Sequence, residues 1–294
     1  MNAFLPPERL TAGAPVPAER AGVAGGLRYR IITAQASEGL ALLPDGSVDL
    51  IVTSPPYYWQ RDYGVDGQIG HEPTIEGFVE ALAAVFREAR RVLAKDGCLF
   101  LNLGDTYYNA KGRPHGTDTK HKARIMSRER LRAVDGPGLG LPRKSLIGLP
   151  WRVALRLQED GWILRSSIIW HRPGALGESS SHDRPWRRHE NLFLFSKSQR
   201  YRFDRAVLRE IGEEDVWSIR PRPNNPHAHC APYPEELVER CVRLAGKPGG
   251  TILDPFVGSG TTLKVGMDHG MNGVGIDLND AYAEIARQRV AAAD

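Results

Sequence analysis

Short apolar segments alternate with amphipathic segments along most of the chain after residue 27. The clearest strand covers Val48 to Thr53 and ends at two prolines, which stop the hydrogen-bonded ladder. The clearest helix follows Thr74, a good capping residue, and keeps apolar residues at helical spacing to about Ala94. This alternation predicts an α/β fold with a mostly parallel sheet covered by helices. Later strands are expected at Gly97 to Leu103, Trp162 to Trp170, Asn191 to Phe195, Thr251 to Asp254 and Gly273 to Asp277, and later helices from about Ser145, Pro234, Gly260 and Asp280.

Two irregular stretches divide the chain. Residues 111–144 form a basic loop insertion, and residues 171–229 mix Pro, Arg and Trp around one short strand. Between Lys111 and Lys144 there are ten Lys or Arg and only three acidic residues, a bias that can mark a phosphate-binding face or a solvated surface. The regular parts are 27–110, 145–170 and 230–294, and residues 1–26 are expected to form a flexible tail.

Composition sets broad limits on the kind of protein. Of the 294 residues, 41% are apolar and 25% are charged, which is ordinary for a soluble globular protein, and the formal net charge is only +4. The three cysteines have no metal-ligand spacing, so neither a disulfide framework nor a metal site is expected. No apolar run has the length of a membrane span and no signal peptide is evident, so a cytoplasmic location is expected.

A glycine-containing turn connects the predicted strand at Thr251 to Asp254 with the next helix; residues 254–262 are called here the glycine turn. Gly258 and Gly260 allow a tight turn and close backbone approach, and the helix start offers free N–H groups. Asp277 ends the following strand, where a carboxylate can accept both hydroxyls of a ribose. The turn has no P-loop lysine and fits the dinucleotide fingerprint poorly, and by itself it could be an ordinary tight turn with a surface aspartate.

A second motif, Thr53-Ser54-Pro55-Pro56-Tyr57, follows the clearest strand. The exocyclic amino group of a base is a poor nucleophile, because its lone pair is delocalised into the ring. Acceptors in fixed positions, here the Ser54 hydroxyl and the Pro55 carbonyl, can bind the amino hydrogens and localise that pair. Tyr57 is expected to stack on a base rotated out of the duplex. The alternative is a strand terminated by prolines, with a packed tyrosine.

Taken together, the two motifs resemble those of the amino-methylating DNA methyltransferases. Ser54-Pro55-Pro56-Tyr57 is similar to the family's (Asp/Asn/Ser)-Pro-Pro-(Tyr/Phe/Trp) motif, and Asp254 to Gly260 is similar to its cofactor motif. The resemblance covers nearly the whole chain from Arg28 to Val290 and implies a Rossmann-like fold in the circularly permuted order, with an inserted target-recognition region. Glutamine-methylating enzymes and many ribosomal RNA methyltransferases carry Asn-Pro-Pro-Tyr after the cofactor motif, so the order here favours DNA.

The resemblance also implies the cofactor, S-adenosylmethionine, and the residues around it. Many relatives have Gly-Asp where this chain has Ala34-Gln35, so Gln35 is expected to replace an aspartate that accepts from the adenine amino group. The catalytic residues are then expected to be Ser54, Pro55, Pro56 and Tyr57. The cofactor-binding residues are expected to be Gln35, Thr53, Tyr233, Asp254, Pro255, Phe256, Gly258, Ser259, Gly260, Thr261 and Asp277.

Double-stranded DNA is the expected partner, and the target-recognition region maps to 171–229. A cognate restriction endonuclease, a homodimer and association with the nucleoid are further expectations from the resemblance. DNA contacts are expected from residues of both basic stretches, Lys111, Arg113, Lys122, Arg124, Arg184, Arg187 and Arg188, although these could equally be solvated.

The expected reaction is a direct in-line methyl transfer to the amino nitrogen, without a metal or a covalent enzyme intermediate. None of the cysteines follows a proline, as the nucleophile of carbon-methylating cytosine enzymes does. The serine at position 54 favours cytosine N4 over adenine N6 as a tendency of the family. An RNA methyltransferase and a catalytically silent DNA-binding module are the weaker alternatives.

Overall fold

The computed structural model describes residues 17–60, 65–108, 140–142, 144–174, 182–221 and 233–292. Within them, one sheet has the strand order β1-β2-β9-β8-β3-β4-β6-β5-β7. From β2 to β4 all neighbours are parallel, whereas β1 on one side and β6 with β5 on the other are antiparallel additions. The strands are β1 Ala18–Ala24, β2 Leu27–Thr33, β3 Val48–Thr53, β4 Leu93–Leu103, β5 Ile163–His171, β6 His189–Ser196, β7 Val216–Ser218, β8 Thr251–Asp254 and β9 Asn272–Asp277.

Helices cover both faces of this sheet. Apolar side chains alternate between the faces along each central strand, because successive residues of a strand point in opposite directions. In β4, Leu99 and Leu101 pack on the face covered by α2 and α3, whereas Cys98 and Phe100 pack on the face covered by α5. The helices are α1 Ala36–Ala41, α2 Ile75–Val92, α3 Leu149–Glu159, α4 Arg205–Glu210, α5 Glu235–Ala245, α6 Thr261–Asp268 and α7 Asp280–Ala291.

Most predicted elements are confirmed, with small shifts at their ends. The strands β3 and β8 have the predicted bounds, and Thr74 caps α2 by accepting from the Gly77 N–H. The helix expected from Ser145 begins at Leu149 instead, because Gly148, in the left-handed region at φ 78°, and Pro150 fix its first turn.

The prediction of a flexible tail over residues 1–26 is wrong for residues 18–26. Ala18–Ala24 forms β1, which turns through Gly25 and Gly26 and pairs antiparallel with β2. Both glycines have positive φ, which a tight hairpin requires. Alanine and glycine conceal this strand in the sequence, because its stability comes from hydrogen bonds to β2 rather than from a strong apolar pattern.

The strand order places three predicted site residues at one edge of the sheet. Strands β3, β8 and β9 are parallel neighbours, so their carboxyl ends coincide. These ends carry Thr53, Asp254 and Asp277. Ligands of open α/β sheets bind outside the carboxyl ends of the strands. None of the helices in the described residues is long and apolar enough to cross a membrane.

Candidate active site

A cavity of about 440 Å³ opens at the carboxyl ends of β3, β8 and β9. This volume is within the range of small-molecule sites, roughly 300–1,000 Å³. Its wall contains both predicted motifs, with Ser54, Pro55, Pro56 and Tyr57 contributed by one and much of the glycine turn by the other. The two motifs are about two hundred residues apart along the chain, and the sheet brings them to one site.

Asp254 joins the two motifs through a saturated set of hydrogen bonds. Its Oδ1 accepts from the Thr53 hydroxyl at 2.6 Å and from the Phe256 N–H at 3.0 Å. Its Oδ2 accepts from the Tyr233 hydroxyl at 2.9 Å and from the Thr262 hydroxyl at 2.8 Å. Burial raises the pKa of Asp254, and these four donors oppose that shift. Asp254 therefore fixes the end of β3 against the glycine turn.

The glycine turn closes onto Asp277. The Gly258 N–H donates to Asp277 Oδ2 at 2.9 Å, and the Asn279 N–H donates to Oδ1 at 2.8 Å. Gly258 has φ 49°, a left-handed conformation that lets the backbone follow the tip of β9. Each carboxylate oxygen keeps a lone pair for a ligand, and desolvation raises the pKa of Asp277 to about 6.

The start of α6 is packed against α7. Gly260 has φ 80°, and a Cβ there would lie 3.0 Å from the Ala286 Cα, so only glycine fits without displacing α7. The Arg289 guanidinium on α7 donates to the Thr261 hydroxyl at 2.9 Å and to the Ser259 hydroxyl at 3.3 Å. These contacts hold the N-terminal turn of α6 in place.

Beside Ser54, a polar cluster joins the end of β3 to β4 and β6. The Tyr57 hydroxyl donates to Glu190 Oε2 at 2.6 Å, and the Ser54 hydroxyl lies 3.4 Å from the Tyr57 hydroxyl. The Asn102 amide donates to both Tyr57 and Glu190 at 2.9 Å. The Arg172 guanidinium donates to Glu190 Oε1 at 2.5 Å. All five side chains line the cavity.

The Tyr57 ring packs closely on the backbone of Gly104, where a Cβ would lie 2.5 Å from the ring Cε2. Burial and the Glu190 carboxylate raise the pKa of Tyr57, so its hydroxyl stays protonated and donates. Hydroxyl and ring are therefore both fixed, and the ring stands as a rigid wall of the cavity.

Most of the predicted catalytic and cofactor residues lie in the cavity wall, including Gln35, whose amide lies beside Gly67. Thr53 and Gly260 do not lie in that wall: Thr53 is fully buried beneath it, and Gly260 packs on α7. Both act through the residues that they position. Asn102, Arg172 and Glu190 were not predicted; the only sequence signal was a polar residue within, or at the end of, an apolar strand.

The predicted DNA contacts are only partly within the described residues. Lys111, Arg113, Lys122 and Arg124 lie outside them. Arg184 places its guanidinium 3.5 Å from the centre of the Tyr107 ring, and Arg188 lies 5.8 Å from that of Trp186. Arg187 is partly buried beside them, and Trp186 is 44% exposed. The loop before β6 thus carries aromatic and basic side chains together.

The sequence model of the DNA methylase family (N6_N4_Mtase) matches residues 48–288, which include both motifs and every strand from β3 to β9. The chain belongs to the amino-methylating DNA methyltransferases. The type II methyltransferase M.Cfr9I of Citrobacter freundii is 44% identical over 262 residues, which cover 87% of this chain and 85% of the relative. The chain is thus a type II DNA methyltransferase of the N6/N4 family.

Solved structures of DNA methyltransferases have the same fold. The PvuII DNA methyltransferase (cytosine-N4-specific) matches with a TM-score of 0.68 and 18% identity, covering 89% of this chain and 86% of that one. The DNA modification methylase TTHA0409 of Thermus thermophilus, solved in complex with S-adenosylmethionine, matches with a TM-score of 0.62 and 26% identity over 88% and 91% of the two chains. The fold is therefore the Rossmann-like sheet of these methyltransferases.

Proposed function

We propose that this methyltransferase transfers a methyl group from S-adenosylmethionine to the N4 amino group of cytosine in duplex DNA. The observation that carries the proposal is the single cavity that combines Ser54, Pro55 and Tyr57 with the glycine turn and Asp277. A methyl donor and an amino acceptor must meet within one site, and this cavity has suitable groups for each.

The residues of the cofactor half fit S-adenosylmethionine. Asp277 presents to the ribose hydroxyls a carboxylate whose pKa burial raises to about 6. Phe256, Leu278 and Tyr282 give the cavity apolar walls for a purine, with Gln35 as the amide beside it. The start of α6 favours a carboxylate nearby. When bound, S-adenosylmethionine supplies an electrophilic methyl group on a sulfonium.

The other half suits a base amino group. The Ser54 hydroxyl and the Pro55 carbonyl would accept the two amino hydrogens and localise the nitrogen lone pair. The base must leave the duplex to reach them, since its amino group is otherwise paired, and the rigid Tyr57 ring would form one wall around it. The nitrogen then attacks the methyl carbon in line. Neither Cys98 nor Cys241 lines the cavity, so no described thiol is placed to attack a base.

Cytosine is favoured over adenine by the serine at the head of the motif, as in the resemblance drawn from the sequence. The fold neighbour from the PvuII system is named as cytosine-N4-specific and agrees with that choice. A cognate restriction endonuclease and a homodimer remain part of the proposal, since type II methyltransferases protect DNA from a paired nuclease.

The test is to incubate the protein with duplex DNA and S-adenosylmethionine carrying a labelled methyl group, then digest the DNA to nucleosides and weigh them. N4-methylcytosine is expected, whereas N6-methyladenine would refute the choice of base. Duplex RNA of the same sequence should remain unlabelled. Ser54→Ala should greatly reduce transfer while leaving the cofactor Kd nearly unchanged; loss of cofactor binding would contradict the role given to Ser54.

A further inference from the structure

Three side-chain oxygens surround one amide nitrogen at the end of β4. Asn102 Nδ2 lies 2.9 Å from the Tyr57 hydroxyl, 2.9 Å from Glu190 Oε2 and 3.4 Å from the Ser54 hydroxyl. Asn102 is 3% exposed, so this amide is shielded from water. Opposite assignment of the amide would place its oxygen against the Glu190 carboxylate, so the nitrogen must face the three oxygens.

This arrangement fixes the direction of the hydrogen bonds. The Tyr57 hydroxyl accepts from Asn102, and Glu190 Oε2 only accepts, so the hydrogen of Tyr57 points to Glu190 at 2.6 Å. A lone pair of Tyr57 then faces the hydrogen of Ser54, 3.4 Å away. Ser54 thereby donates toward Tyr57 and presents its own lone pairs to the cavity. The chain runs in one direction, from the cavity through Ser54 and Tyr57 to Glu190.

We propose that Ser54, Tyr57 and Glu190 form a proton path, with Glu190 as the acceptor of the proton that the base amino group loses. This inference rests on the proposed methyl transfer to an amino nitrogen. It assigns to Glu190 the role of a positioning residue that acts on the substrate through Tyr57 and Ser54.

The proton balance of the step is simple. The nitrogen lone pair forms the N–C bond, and the pair of the S–C bond stays with sulfur, so the positive charge passes to nitrogen. The amino nitrogen gives a proton to the Ser54 oxygen, Ser54 gives its own to Tyr57, and Tyr57 gives its own to Glu190 Oε2. Glu190 then passes the proton to water through its small exposed fraction, 9%. A carboxylate is basic enough, since the methylated amine is acidic.

The surroundings keep Glu190 in place for this role. The positive charge of Arg172 faces the carboxylate at 2.5 Å from the end of β5, and Tyr57 faces it from the end of β3. The other ionisable groups nearby are His189, His171 and Arg187. The raised pKa of Tyr57 keeps its proton in place, so that a proton is relayed rather than lost to solvent. Hydrogen-bonded chains of this kind strengthen each member.

The test is Glu190→Gln, measured as the single-turnover rate of methyl transfer at saturating S-adenosylmethionine across pH. The glutamine side chain keeps an oxygen for Tyr57 and Asn102 but is not a base, so the rate should fall about 100-fold at neutral pH. The wild-type rate should decline toward acid as Glu190 gains a proton, and this decline should vanish in the variant. A purely structural role would lower the rate by the same factor at every pH and leave the acidic decline in place.

The matched control is Arg172→Gln, which removes the same ion pair from its other side. It leaves the carboxylate and its contact with Tyr57, so the acidic decline should persist. If Arg172→Gln loses the decline as Glu190→Gln does, the ion pair and not the proton path is responsible.

Tyr57→Phe cuts the same path while keeping the ring, and it serves if Glu190→Gln does not fold. It should also remove the acidic decline, and the double variant should be no slower than the slower single one. Multiplying effects, or a decline caused by His189 that survives in the variants, would overturn the proposal. Wild-type protein that transfers no methyl group would instead refute the proposed function.

Discussion

Thr53→Val tests whether Asp254 joins the two motifs as strongly as its geometry indicates. Thr53 is fully buried at the end of β3, and its hydroxyl donates to Asp254 Oδ1 at 2.6 Å. Valine has nearly the same volume, so the substitution removes one hydrogen bond without opening a cavity. Asp254 Oδ1 keeps the Phe256 N–H at 3.0 Å and is not left without a donor.

The expected cost follows from the charge on the acceptor. A hydrogen bond to a charged group contributes roughly 1.5–3 kcal/mol, and water cannot replace it at a buried site. We therefore expect the free energy of unfolding to fall by about 2 kcal/mol. For a chain of this size each kcal/mol lowers Tm by roughly 2–4 °C, so Tm should fall by about 4–8 °C. The cofactor Kd should rise as well, because Asp254 positions the glycine turn.

Urea denaturation followed by circular dichroism measures the first effect, and calorimetric titration with S-adenosylmethionine measures the second. Thr33→Val is the matched control. Thr33 also ends a strand, β2, and donates to a carboxylate, Asp280 Oδ1 at 3.0 Å, but that carboxylate is exposed. The control should change the unfolding free energy by less than about 0.5 kcal/mol. Equal effects of the two variants would refute the reasoning about Asp254.

Three further outcomes are expected. The Kd for S-adenosylmethionine should rise about tenfold for each pH unit below about 6, because the carboxylate of Asp277 becomes protonated there and ribose hydroxyls need its charged form; titration calorimetry of wild type and Asp277→Asn checks this, and the variant should show no such dependence. The sign for stability is opposite: the raised pKa means that the cofactor-free protein loses stability as pH rises from about 4 to about 6. Gly104→Ala should slow transfer at least about tenfold without changing the cofactor Kd, since the new Cβ would lie 2.5 Å from the Tyr57 ring; an unchanged single-turnover rate would contradict this. Thr74→Ala should lower the free energy of unfolding by about 1 kcal/mol, because the Gly77 N–H loses its cap, and a denaturation curve that overlays wild type would show that the cap contributes nothing.

The sequence predicted the elements whose signals are local. The bounds of β3 and β8, the cap of α2 and both motifs depend on apolar spacing, prolines and glycines within a few residues of one another. Each of these acts on its own stretch of backbone, so neighbouring residues are sufficient to specify it. Strand β1 escaped prediction because only pairing with β2 makes it a strand.

The tertiary structure decided which side chains meet at the site. Glu190 reaches Tyr57 only because β6 pairs antiparallel with β4, and no motif marks Glu190, Asn102 or Arg172 in the chain. The same sheet order brings Thr53 to Asp254 and turns a predicted cofactor residue into a link between the motifs. The sequence by itself thus determined which chemical groups are present and which backbone positions carry them. Their partners were set by strand pairing over long separations, which depends on the packing of the whole sheet and has no local signal.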